Sequence, residues 1–91
     1  MNPRVTRVTV LSPYKVELWF NDGSHGDVDL APWILGARGV FAALQDPAFF
    51  SQVAVDREAG TIVWPNGADL DPDVLFEAAQ ADATIGQPDH D

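Results

Sequence analysis

Apolar and polar residues alternate from Val5 to Leu30, the period of strands with one buried face. In "KVELWFN", Val16, Leu18 and Phe20 point one way, and Lys15, Glu17, Trp19 and Asn21 the other. Val28 and Leu30 repeat the inward pattern, with Asp27 and Asp29 outward. Turns at Ser12-Pro13 and at Asn21-Asp22-Gly23 divide this stretch into a three-stranded antiparallel meander. From Pro32 the period changes. Pro32 suits the start of a short helical turn, which Gly36 and Gly39 interrupt. In "GVFAALQDPAFF", helical spacing puts Val40, Phe41 and Leu44 on one face, and Asp46-Pro47 ends that turn and opens another. "SQVAVDREAGTIVWP" reads as a second hairpin, with Val53 and Val55 on one arm, Ile62 and Trp64 on the other, and the turn at Glu58 to Gly60. A last helix is expected from Pro72 to about Gln80. The predicted fold class is α+β: an antiparallel sheet, built from the meander and the second hairpin, with short helices on one face. Residues 1–80 are expected to form one domain and residues 81–91 a flexible acidic tail.

The chain has 91 residues, enough for one domain with a real core. With 46% hydrophobic and 21% charged residues it is too apolar for a disordered chain, and no apolar run is long enough to span a bilayer. Fourteen acidic residues against five basic ones give a formal net charge of −9. Such a field repels phosphate backbones, so direct nucleic-acid binding is not expected, whereas a small basic protein is a fitting partner. The plainer account of the charge is solubility. The lack of cysteine excludes disulfides, thiol catalysis and cysteine-ligated zinc. The opening "MNPRVTRVTV" has no apolar signal core, from which a cytoplasmic protein is expected.

The densest candidate for chemistry is "TIVWPNGADLDPDVLFEAA", with its carboxylates Asp69, Asp71 and Asp73. Asp71 before Pro72 reads as a helix N-cap, and Asp73 falls in the first turn, where the helix dipole favours negative charge. A calcium loop needs a glycine directly after Asp73 and a glutamate at the twelfth position, whereas Asp73 is followed by Val74 and Leu75, which belong to the helix's apolar side. Asp69 has no such assignment. His25 and His90 lack a third ligand at metal-binding spacing, the serines lack a histidine–acid pattern, and "NDGSHG" and "LGARG" are turns and not phosphate loops. No catalytic residue, metal or cofactor is expected, and the chain does not read as an enzyme. Trp19 falls on the outer face of the meander among polar neighbours. It is either a contact for a partner or second copy, or a ring lying across strand neighbours such as Thr9. Trp64 is expected to close the core beneath the last helix, after which Asn66-Gly67 supplies a positive-φ turn.

The run "GVFAALQDPAFFSQVAVDREAGTIVWPNGADLDPDVLFE" resembles the bacterial domain-of-unknown-function family 2442. The resemblance is carried by Gly39, Phe41, Leu44, Asp46, Phe50, Val53, Gly60 to Ile62, Trp64 to Gly67, Asp69, Pro72, Asp73 and Leu75. The opening "VTVLSPYKVELWFNDGS" with "DVDL" is similar to that family's first strands. The resemblance implies a small acidic α+β protein, in an arrangement that looks like toxin–antitoxin pairs, and it supplies no catalytic residues.

The function expected from the chain is that of an acidic interaction module, antitoxin-like or regulatory, that binds a small basic protein. Its surface would be the rim of Asp69, Asp71 and Asp73 or the sheet face with Trp19. One alternative is a ligand-binding protein or enzyme using a pocket near Trp64, Asn66 and Asp69. A second is a self-associating domain that pairs through an exposed strand edge.

Overall fold

A computed structural model describes residues 2–85. Strands β1 (Val5–Ser12), β2 (Lys15–Phe20) and β3 (His25–Asp29) form an antiparallel sheet in the order β1-β2-β3. Val16 pairs with Val28 and Leu18 with Gly26, so the alternation puts Val16, Leu18 and Phe20 on one face as expected. Three short elements follow: α1 (Ala31–Ile34), a 3-10 helix (Gly39–Gln45) and α2 (Pro47–Phe50). Strands β4 (Ala54–Asp56) and β5 (Thr61–Val63) make a separate two-stranded sheet, and α3 (Pro72–Ile85) closes the fold. The architecture is α+β.

The core gathers Val5, Val16, Leu18, Phe20, Val28 and Leu30 from the meander and its exit, with Ile34, Leu44 and Phe50 from the helical stretch. Ile62, Trp64, Ala68, Leu75 and Ala79 complete it. Burial of each large apolar side chain here contributes about 1.5–3 kcal/mol. Helix α3 lies against β3 at Gly26, where an added Cβ would sit 2.7 Å from the Ala79 carbonyl oxygen. The Phe20 and Phe76 rings meet edge to face at 5.0 Å, a second tie between the meander and α3.

Six turns and element starts after the first hairpin share one device. Asp22 accepts from the Ser24 N–H at 2.9 Å, Asp29 from Ala31 at 3.0 Å and Asp46 from Ala48 at 3.0 Å. Asp56 does the same for Glu58 at 3.0 Å, Asn66 for Ala68 at 3.1 Å and Asp71 for Asp73 at 2.8 Å. Each closes a small ring between a side-chain oxygen and the amide two positions on, which fixes the chain's entry into the next element.

Four details differ from the sequence reading. Val40 is half exposed, at 50%, because Gly39–Gln45 is a 3-10 helix. Its three-residue period keeps Phe41 and Leu44 aligned but rotates Val40 away from them. Val53 lies outside β4, and Trp64 follows β5 instead of ending it, so the hairpin arms are shorter than expected. Helix α3 continues past Gln80 to Ile85, since "ADATI" holds no helix breaker before Gly86. The remainder of the expected tail lies outside the described residues. The first hairpin turns on Pro13-Tyr14, with Tyr14 at φ 73°, a left-handed value that usually selects glycine. Tyr14 is held there by long-range contacts: its hydroxyl donates to the Gln45 carbonyl, and its ring meets Phe50 at 5.6 Å.

Candidate functional site

Helix α3 begins where β5 has just left the core, and the three aspartates stand on that approach. Asp71 caps α3: its carboxylate accepts from the Asp73 N–H, and its carbonyl accepts from Leu75 at 3.1 Å. Asp69 holds position through its backbone, which bridges to Val63. All three are exposed. Among the described residues, the carboxylates of Asp69 and Asp73 make no hydrogen bond or ion pair, so two negative charges face solvent at the positive end of α3.

Trp64 and Asn66 do different work. Trp64 is 2% exposed, and its indole N–H donates to the Phe50 carbonyl at 2.9 Å while the rings meet at 5.7 Å. It is a core residue tied to α2, with no face to offer a partner. Asn66 is spent at both ends of its amide: Nδ2 donates to the Val40 carbonyl at 2.8 Å, and Oδ1 accepts from Ala68. Gly67 carries the positive φ of this turn, at 89°. Asn66 thereby joins the β5 exit to the 3-10 helix across 26 positions of sequence.

On the outer face of the meander, pairing aligns Arg7, Trp19 and His25 in one row across β1, β2 and β3. The Arg7 guanidinium sits 4.9 Å from the Trp19 ring centre, and the His25 ring stacks with Trp19 at 5.5 Å. Thr9, the neighbour expected to lie beneath Trp19, pairs with Glu17 instead. The next row holds Glu17 and Asp27, and His25 Nδ1 reaches Glu17 Oε2 at 3.1 Å. Trp19 is only half-buried, and Arg7, Thr9, Lys15, His25 and Asp29 around it are exposed, so this side of the sheet is open. Trp19 and the three aspartates thus belong to different parts of the molecule: one to the sheet's outer face, the others to the head of α3.

A cleft of about 280 Å³ is lined by Arg4, Val5, Thr6, Asn21, Val55 and Arg57, where the meander meets the second hairpin. None of Trp64, Asn66 and Asp69 lines it. Two basic side chains in one cleft gave no signal in sequence, because Arg4 and Arg57 lie far apart along the chain and meet only through the fold. Among the described residues no group of three histidines or acids is placed to hold a metal ion, and no helix is long and apolar enough to cross a membrane.

Residues 5–81 match the family described as protein of unknown function, DUF2442. The chain belongs to the DUF2442 family. The match takes in both sheets, the three aspartates and all but the end of α3, and it starts one residue after Arg4. Comparisons with curated proteins and with solved structures gave no match. Within this DUF2442 domain, Leu44, Phe50, Ile62, Trp64 and Leu75 of the run Gly39–Leu75 are buried, and Asp46 and Asn66 make turn bonds. Thr61 donates its hydroxyl to the Leu70 carbonyl at 2.5 Å. Asp69, Asp73 and, at the hairpin turn, Glu58 are the acids of that run left facing outward with no bond to their carboxylates among the described residues.

Proposed function

We propose that this DUF2442 domain is a protein-interaction module, antitoxin-like or regulatory, that binds a small basic protein. The observation that carries this reading is the pair of exposed carboxylates, Asp69 and Asp73, left without an internal bond among the described residues in a chain of net charge −9. Turn chemistry accounts for five other described aspartates, and Asp27, also without a side-chain bond, is half-buried in β3, which leaves Asp69 and Asp73 as the exposed ones. A complementary basic surface would be steered to the α3 head and would lose affinity with salt. The open sheet face around Trp19 is the other surface of adequate character, being aromatic at its centre and charged at its rim.

The test is a pull-down of tagged protein from its own cell extract, washed at low and then high salt. A basic protein should stay bound at low salt and elute at high salt. Asp69→Asn with Asp73→Asn should weaken retention if the α3 head is the surface, and Trp19→Ala if the sheet face is. Retention that ignores both salt and these variants, or no retained basic protein at all, would sink the proposal.

One observation favours self-association as a second reading. β1 is an edge strand of eight residues with a single charge, Arg7, and beyond its Val5 end, which bonds Gly60 of the second hairpin, it runs on to Ser12, whereas the opposite edge, β3, carries Asp27 and Asp29. Pairing of β1 with a second copy would appear as a dimer in sedimentation at high protein concentration, and Thr9→Lys on that edge would abolish it.

A further inference from the structure

We propose that the cleft between the two sheets is a binding site for a small organic anion, which it takes by its carboxylate or phosphate group. The chain carries fourteen acidic residues, yet the six residues lining this cleft include two arginines and no acid. Local charge is therefore opposite to that of the molecule as a whole. Neither arginine is neutralised: among the described residues, the one ion pair within 4.0 Å is His25 with Glu17.

Arg4 is held in place without a carboxylate. Its Nη2 donates to the Arg57 carbonyl at 2.5 Å and the Glu58 carbonyl at 3.1 Å, and its backbone N–H donates to Asn21 Oδ1 at 3.0 Å. The guanidinium also lies over Gly60, where an added Cβ would come within 2.9 Å of Cζ. Carbonyl partners orient a guanidinium but leave its full positive charge in place, and its remaining N–H groups suit a planar oxyanion. The Arg57 side chain is exposed and makes no hydrogen bond among the described residues, so it is available as a second donor. Val5 and Val55 give the same cleft an apolar wall. A volume of about 280 Å³ falls just below the range of drug-sized ligand pockets, which fits a short apolar body bearing one anionic group. This site differs in charge and location from the acidic surface proposed for the partner, so either can fail without the other.

The experiment uses the full chain, ¹⁵N-labelled, titrated at constant ionic strength with sodium butyrate, with inorganic phosphate and with sodium chloride as three separate arms. Saturable shifts confined to Val5, Thr6, Asn21, Val55 and Arg57 in the butyrate or phosphate arm are expected, and the responding arm identifies the anionic group. Arg57→Gln, which removes no internal bond of the described residues, should weaken that binding about tenfold or more while the remaining spectrum stays in place. Equal shifts with chloride, no saturation in either oxyanion arm, or unchanged binding by the Arg57→Gln variant would overturn the proposal.

Discussion

At the scale of single residues, the aspartates divide by what their oxygens do. Asp22, Asp29, Asp46, Asp56 and Asp71 each accept from the amide two positions on. Asparagine offers the same acceptor and caps as well as aspartate. A variant with all five changed to Asn should therefore fold normally, although it raises the net charge of −9 by five. Each change should cost less than about 0.5 kcal/mol, whereas Asp71→Ala should cost about 1 kcal/mol in urea unfolding. Cooperative loss of structure in the five-fold Asn variant would show that charge, and not the ring closure, is what these positions need. Asp22 adds a pH signature. The Ser24 hydroxyl and then the Ser24 amide bond its carboxylate and hold its pKa below its ordinary value of 3.8. A pKa lowered in the folded state stabilises the fold above the unfolded value, and that contribution disappears as pH falls through the folded value. Asp22→Asn should thus leave stability at neutral pH nearly unchanged and flatten its fall below about pH 4.

At the scale of elements, the meander was legible and the segment after it was not. Strand alternation is local, so Val16, Leu18 and Phe20 announce their face within six residues of β2. The two Asp-Pro pairs announce helix starts equally well: Asp71 caps as expected, and Asp46 caps α2 in the same way. A seven-residue stretch cannot separate a period of 3.0 from one of 3.6, which is why helical spacing groups Val40 with Phe41 and Leu44. Tyr14 at positive φ, the Trp64 bond to Phe50 and the Arg7–Trp19–His25 row all depend on distant residues, and no local pattern encodes them. Gly26 belongs to the same class. Its φ is not in the left-handed region, so its need for glycine comes only from the α3 backbone above it. Gly26→Ala should destabilise the domain by about 1–3 kcal/mol through overpacking. Ala79→Gly should not rescue it, because the nearest obstacle is a carbonyl oxygen at 2.7 Å and not the Ala79 side chain. Rescue by Ala79→Gly would mean that the methyl group at 3.2 Å governs the fit.

At the scale of the whole molecule, the question is how two small sheets behave as one body. A two-stranded hairpin is marginal alone, so β4 and β5 must draw stability from what they touch. Ile62 and Trp64 supply the buried part of that attachment. Arg4 supplies the other part, since it binds the hairpin turn through the Arg57 and Glu58 carbonyls while the next residue, Val5, donates its N–H to Gly60 at 2.9 Å. The same residue's backbone exchanges bonds with Asn21 in the β2–β3 turn, at 3.0 and 2.9 Å. Arg4 thus touches both turns at once. Its exposure discounts its electrostatic contribution, so Arg4→Ala should cost only about 1 kcal/mol in global stability. The effect on local opening should be larger in proportion, because a hairpin of three-residue strands has few other bonds to keep it closed. Hydrogen exchange should therefore accelerate in Ala54–Val63 and stay nearly constant in Lys15–Phe20, the central strand. Arg4→Lys keeps the charge but replaces the planar guanidinium, whose Nη2 serves both carbonyls, with a shorter and strongly hydrated ammonium, and it should behave like the Ala variant. Acceleration spread evenly over both segments would mean that the two sheets open as a single unit and that Arg4 is one contact among many; acceleration confined to the hairpin would identify Arg4 as the clamp between them.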